Sequence, residues 1–248
     1  MDTNNTVFDF KEIDPEGMAT LHAIEEAKAF NNWMYQTIKP YCKGNVLEVG
    51  SGIGNISECF LADGFDITLS DIRENYCDAL KNKFPKQSNL KDIIVLDLVA
   101  PNFEQQYAHL LGSFDTVFAL NVVEHIFDDA LALANCRKLL RTGGNLVILV
   151  PAYQFLYNRF DEELDHYRRY TQKTLNSVFS KNELPIIHQQ YFNFMGMFGW
   201  FVSGKLQQHK TIPAKQMALY NYLVPIFKLI DKLVFNKMGL SVIAVGQK

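Results

Sequence analysis

Apolar and polar positions divide this chain into short buried runs alternating with helical periods. Between residues 45 and 151, five runs read as strands: Asn45–Val49, Phe65–Ser70, Asp92–Leu96, Ser113–Leu120 and Asn145–Val150. Helical segments separate them, at Asn55–Ala62, Glu74–Lys83 and from Asp128 to Leu140. Strands alternating with helices predict a parallel sheet with right-handed crossovers. Upstream, Leu21, Ile24, Ala27, Phe30, Met34 and Ile38 recur at helical spacing, which predicts one helix over Met18–Ile38, ended by Pro40. Residues 1–17 read as a loose arm. Downstream, Thr171 is placed to cap a helix over 172–181, and Leu184–Asn193 and Leu240–Gly246 read as a sixth and a seventh strand. The connection 194–239 is too long for a plain loop. It reads as two helices, Phe194–Leu206 and Gln216–Phe235, separated by Thr211, Ile212 and Pro213, with Pro225 expected to kink or break the second.

The first strand runs directly into Gly50-Ser51-Gly52-Ile53-Gly54. Glycines at a strand end let a ligand approach the backbone closely, and the helix that follows turns free amide groups toward the crevice. The dinucleotide fingerprint G-x-G-x-x-G fails here, because the third glycine falls one place early and Asn55 takes its position. Asp71 closes the second strand about twenty residues past the glycines, where a carboxylate can accept hydrogen bonds from ribose hydroxyls.

The run E-x-G-x-G-x-G from Glu48 to Gly54 resembles motif I of the class I methyltransferases that use S-adenosylmethionine. Val122-Val123-Glu124-His125-Ile126 resembles the family's motif IV in its small-molecule branch, and departs from the N/D-P-P-Y/F form of enzymes that act on adenine or glutamine nitrogens. The L-x-x-G-G step at Leu140–Gly144 recurs in the family as well. Asp165-His166-Tyr167-Arg168-Arg169-Tyr170 resembles a subgroup loop written G-H-x-R-R-Y, with Asp165 in place of its glycine. The resemblance implies a three-layer α/β sandwich whose seven-stranded, mostly parallel sheet has an antiparallel last strand between the fifth and sixth. It implies S-adenosylmethionine as cofactor, held by Glu48, Gly50, Ser51, Gly52 and Gly54, by Asp71 and Ile72 at the ribose, and by Asp97 and Leu98 at the adenine. Asn121 and Val122 would wall the methyl-transfer crevice. Asp97 can equally cap the turn that follows it. The family's preceding helix often covers the crevice, which makes Asn31, Trp33 and Tyr35 candidate lid residues. On this parse, 1–44 is an arm and lid helix, 45–193 with 240–248 is the catalytic domain, and 194–239 is a helical insertion acting as a cap or interface.

Composition narrows the partners. The chain has 248 residues and a formal net charge of −3, which gives no electrostatic reason to expect a nucleic-acid partner. The four cysteines show no C-x-x-C pairing, as in a reducing compartment. The polar, acidic start is unlike a secretory signal, and no apolar run approaches the roughly 18 residues of a membrane span. The reading is therefore cytoplasmic. Apolar residues from Tyr220 to Val234 leave open a substrate pocket, a homodimer face, peripheral membrane contact or packing on the sheet.

Methyl transfer from a sulfonium is an in-line displacement, and a hydroxyl acceptor must also lose a proton. His166 and His125 follow the fifth and fourth strands, at the carboxyl edge where open α/β sheets bind ligands. Histidine accepts protons near neutral pH, so both are candidate bases, His166 first, with Glu162 or Asp165 as its orienting carboxylate. That points to a small-molecule acceptor, with oxygen favoured slightly over nitrogen. A non-catalytic cofactor-binding protein and a lipid or isoprenoid methyltransferase are the alternatives. Tyr153, Tyr157, Arg168, Arg169 and Tyr170 are candidate contacts to an aromatic, acidic or apolar acceptor, the arginine not so used pairing with Glu162 or Glu163. No cysteine–histidine grouping has metal-ligand spacing and no H-E-x-x-H occurs, so no metal site is expected.

Overall fold

The computed structural model describes residues 15–206 and 214–248. The expected arm up to residue 14 and the break at Thr211–Pro213 lie outside the described residues. In chain order the elements are α1 Pro15–Glu25, α2 Lys28–Ile38, β1 Val46–Val49, α3 Ser57–Ala62, β2 Ile67–Asp71, α4 Glu74–Lys83, β3 Leu90–Val95 and α5 Phe103–Gln106. Then come β4 Phe114–Leu120, α6 Asp129–Leu139, β5 Leu140–Pro151, α7 Arg159–Glu163, α8 Gln172–Lys181, β6 Ile186–Phe192, α9 Phe194–Trp200, α10 Ala214–Leu233 and β7 Ser241–Gln247. A π-helical turn, Phe201–Leu206, extends α9.

The strands form one seven-stranded sheet in the order β3-β2-β1-β4-β5-β7-β6. β1 to β5 pair in parallel, and β7 runs antiparallel between β5 and β6, as expected. The order reverses at β1, so the crevice between the carboxyl ends of β1 and β4 is the topological switch point where such sheets take ligands. Side chains alternate across the sheet with period two. Leu47, Val49, Val117, Ala119, Leu146 and Ile148 face the core under α6 and α8. Val46, Ile67, Leu69, Phe118, Val147 and Leu149 face the core under α2, α3 and α10.

Two local expectations change. The predicted single helix Met18–Ile38 is two helices, α1 and α2, divided at Glu26 and Ala27, where Ala27 leaves helical geometry (ψ 56°) and its N–H reaches the Ile24 carbonyl. The split lets each half bury its own apolar face. α2 sinks Trp33, Met34, Tyr35 and Ile38 into the core, while α1 lies across the glycine loop. α10 runs through Pro225 as one helix, because Pro225 sits on its exposed side. Elsewhere the helix is anchored by buried Val224 and by Asp231, whose carboxylate accepts from Asn193 and Phe194 N–H.

Candidate functional site

β1 delivers the chain to Gly50, Gly52 and Gly54, all at positive φ (72°, 53° and 81°). They are glycines for different reasons. A Cβ at Gly50 would stand 2.4 Å from Val122, and one at Gly54 would collide with Phe84 and Leu80. A Cβ at Gly52 would meet only the end of Leu21 on α1, at 3.0 Å. Gly50 and Gly52 therefore open the crevice, whereas Gly54 serves packing and does not line it.

Asp71 ends β2, only 5% exposed, with Oδ2 accepting from Gly52 N–H and Oδ1 from Arg73 N–H, both at 3.0 Å. Burial raises its pKa above the ordinary range. Each oxygen keeps a further lone pair, as a pair of ribose hydroxyls requires. Glu48 lies beneath the loop, hydrogen-bonded by Ser57 Oγ, and burial pushes its carboxyl up to about 8. Asp97 caps its own turn by accepting from Val99 N–H at 2.8 Å while still lining the crevice, so the capping role foreseen for it does not displace the other. Ser51, Ile72, Leu98, Asn121 and Val122 line it too. Of the three lid candidates only Asn31 does so, its Oδ1 buried without a hydrogen-bond partner. Trp33 packs on Phe192, and the Tyr35 hydroxyl donates to Asp63. Thr20, Leu21 and Ile24 of α1 supply the wall instead.

The crevice and its continuation past β4 form one cavity of about 830 Å³, within the range of small-molecule sites. There the chain brings together residues distant in sequence. Tyr167 N–H donates to the Glu124 carbonyl at 2.9 Å, tying the loop after α7 to the turn after β4. His125 and His166 then meet edge to face, ring centroids 4.5 Å apart. Asp161 organises this corner. One carboxylate oxygen takes Asn158 N–H in the capping box of α7; the other takes His166 Nδ1 and Arg169 Nε, each at 2.8 Å. Burial opposes its ionisation, but the His166 hydrogen bond and the Arg169 charge hold the carboxyl below its usual range. Burial pushes His125 down to about 3, opposed in part by the Leu164 backbone.

Glu124 was not among the site residues read from the sequence. It is 0% exposed, neither carboxylate oxygen has a hydrogen-bond partner, and the His166 Nε2 atom lies 4.0 Å from Oε1. Glu124, His125 and His166 each offer a ligand atom within 4.8 Å of the others. Sequence spacing gave no sign of this grouping, since two separate loops build it. The one available signal was the acid beside His125 in a segment otherwise apolar.

The acceptor-side candidates fare differently. Arg169 lines the cavity, held by Asp161, by the Ala152 carbonyl at 3.0 Å and over the Trp200 ring. Arg168 points away to Asp129 and the Phe127 carbonyl. Their ion pairs run to Asp129 and Asp161, while Glu163 meets Arg159. The carboxylate on His166 Nδ1 is that of Asp161, rather than the expected Glu162 or Asp165. Tyr153, Tyr157 and Tyr170 lie outside the cavity lining and brace the loops: Tyr153 stacks on Tyr191, Tyr157 donates to the His166 carbonyl and Tyr170 to Asp129.

An open sheet with a glycine loop after β1, a carboxylate ending β2 and an antiparallel seventh strand defines a domain of the class I methyltransferase fold. Residues 47–146 match the family model described as a methyltransferase domain. The ubiquinone biosynthesis O-methyltransferase of Psychrobacter arcticus is 31% identical over 144 residues, covering 52% of this chain and 54% of that one. A hybrid PKS-NRPS synthetase of Talaromyces variabilis is 33% identical over 115 residues, 45% of this chain but 3% of the synthetase. The chain thus spans about half the length of the O-methyltransferase relatives it matches, and a small fraction of the synthetase. Among solved structures, a SAM-dependent methyltransferase from Archaeoglobus fulgidus has a TM-score of 0.58 at 16% identity, covering 92% of this chain and 99% of that one. A Haemonchus contortus phosphoethanolamine N-methyltransferase in complex with phosphomonomethylethanolamine and S-adenosylhomocysteine has a TM-score of 0.61 at 17% identity, covering 92% and 56%. Residues 47–146 are thus similar to a methyltransferase domain, and the fold is that of solved S-adenosylmethionine-dependent methyltransferases.

Proposed function

We propose that the protein transfers the methyl group of S-adenosylmethionine to an oxygen of a small apolar or aromatic molecule. The acceptor's lone pair forms the new bond to the methyl carbon as the carbon–sulfur bond breaks, leaving a neutral thioether. Holding the three atoms in line supplies much of the rate, up to several kcal/mol as an order of magnitude. The observation that carries this reading is the Glu124–His125–His166 group on the same cavity as Gly50, Gly52 and Asp71. Such a group promotes the loss of a hydroxyl proton, which an amine acceptor with a free lone pair does not need. The relatives named as O-methyltransferases support the preference for oxygen. Within the group His166, oriented by Asp161, is the member that governs proton removal, and Arg169 is the one candidate of the acceptor set that faces the cavity. Residues 45–193 with 240–248 form the catalytic domain, and 194–239 is its cap or interface. Four unpaired cysteines fit a cytoplasmic setting. Incubating the purified protein with labelled donor and small-molecule extracts identifies the acceptor. His166→Ala should then lower turnover by roughly 100-fold or more, with donor affinity little changed. Methylation of an unprotonated amine, or full turnover in the variant, removes the oxygen reading.

A second reading concerns where the acceptor comes from. Leu219, Tyr222, Ile226, Leu229 and Leu233 form one exposed apolar stripe on α10, between 55% and 80% exposed. Leu219 also lines the cavity, so the stripe runs into its mouth. This supports a lipid-soluble acceptor collected at a membrane surface.

A further inference from the structure

We propose that Glu124, His125 and His166 hold a divalent first-row transition-metal ion, to which the acceptor oxygen is presented. The inference rests on the methyl-transfer reading of the crevice only for the ion's purpose. The site itself stands on geometry.

Glu124 presents the clearest sign. A fully buried carboxylate without a hydrogen-bond donor is costly, and such groups are generally paired or bound to a cation. The His166 ring is 4.0 Å away, too far for a hydrogen bond. A cation between the carboxylate and the two imidazoles would satisfy all three.

Both histidines are also prepared as ligands. A metal-binding imidazole must be neutral, with its second nitrogen donating to a fixed acceptor that sets tautomer and ring angle. His166 gives Nδ1 to Asp161 at 2.8 Å, which leaves Nε2 turned toward Glu124. The His125 ring is held by the Leu164 backbone. Arg169 in turn fixes Asp161, so the orienting carboxylate cannot swing away. The ligand atoms lie within 4.8 Å of one another. Bonds of about 2.1 Å to a tetrahedral or octahedral ion bring ligand atoms to roughly 3–4 Å apart, which small side-chain rotations reach. Two imidazoles and one carboxylate suit zinc, iron(II), cobalt(II) or manganese(II), and three protein ligands leave positions open toward the cavity.

The ion would change how the proton leaves. His166 and Glu124 would act as ligands rather than as proton acceptors. The cation would draw charge from a hydroxyl of the acceptor, lowering its pKa, and the proton would pass to water. The oxygen lone pair would then attack the methyl carbon, and the electrons of the carbon–sulfur bond would remain on sulfur.

Cobalt(II) is the probe, because its visible absorption reports imidazole–carboxylate coordination. Metal-free full-length protein should bind one equivalent tightly, with an absorption band absent from free cobalt(II). Glu124→Gln should weaken binding about 100-fold or more, and Asp161→Asn about 10–100-fold, as loss of an orienting partner does. Calorimetry with S-adenosylhomocysteine checks that both variants remain folded. Absence of a band, or equal cobalt(II) affinity in Glu124→Gln, would overturn the metal site. If methyl transfer nevertheless proceeds in metal-free protein, the enzymatic reading survives alone; if cobalt(II) binds as expected but no acceptor is ever methylated, the metal site survives alone.

Discussion

His166 Nδ1 lies 2.8 Å from Asp161 Oδ1, inside a corner where the same carboxylate also caps α7 and binds Arg169. One side chain therefore couples a helix start, a buried cation and the imidazole that faces the cavity. Asp161→Asn keeps the shape but removes the charge, so turnover should fall by about 10–100-fold while S-adenosylhomocysteine affinity barely moves. Steady-state kinetics beside calorimetry checks this. Equal losses in both would mean that Asp161 only supports the fold. The alanine variant is a poorer probe, since leaving Arg169 buried and unpaired costs about 3–5 kcal/mol of stability.

The donor site should discriminate between nucleotides. S-adenosylmethionine and its demethylated product should bind in calorimetry, and NAD should not. Losing Asp71 to alanine should cost about 1–3 kcal/mol of donor binding if two ribose hydrogen bonds disappear. Tighter binding of NAD than of the methyl donor would refute the assignment.

The wall formed by α1 separates from the core helix α2. Truncation at residue 26 should leave the fold intact, because Trp33, Tyr35 and Ile38 remain buried. It removes Leu21 and Ile24 from the crevice, so donor affinity should fall by about tenfold, or 1.4 kcal/mol. Unchanged affinity in the truncated protein would make α1 a bystander. Deleting through residue 38 should instead unfold the domain.

Stability should carry the signature of Glu48. Its folded-state pKa of about 8 lies above the ordinary carboxylate value of 4.5. Between those values the folded protein holds a proton that the unfolded chain has lost, so this group's contribution declines as pH rises through that window. The decline is at most about 1.4 kcal/mol per pH unit. Urea melts of wild type and Glu48→Gln from pH 5 to 8 should show a stability difference that shifts in favour of the variant as pH rises. A pH-independent difference would contradict a buried, proton-holding Glu48.

The α10 stripe gives a test of membrane contact. Wild type should sediment with anionic liposomes, and Tyr222→Glu with Ile226→Glu should stay in solution. Both side chains are exposed, at 80% and 55%, so the substitutions should leave thermal stability almost unchanged. Sedimentation of the double variant at the wild-type level would leave the stripe without this role.

The alternation of strand and helix, a seventh strand near the end, the glycine loop and a carboxylate at the end of β2 were legible in the chain alone, whereas the antiparallel placement of that last strand came from the family resemblance. The features legible in the chain depend on local chemistry: period-two and period-3.6 burial, positive φ at Gly50 and Gly52, and a carboxylate at a strand end. Even the Thr171 cap and the helix Gln172–Lys181 fall where the residues predict. What the chain could not display was the meeting of Glu124 and His125 with His166. That depends on β4 lying beside β5, and on a backbone hydrogen bond from Tyr167 to Glu124 between loops far apart in sequence. The same holds for the adjacent arginines, of which packing turned Arg169 inward to Asp161 and Arg168 outward to Asp129. Local periodicity sets which residues are buried; only the closed sheet decides which buried polar groups share a corner, because that corner is built from segments whose separation along the chain leaves no periodic trace.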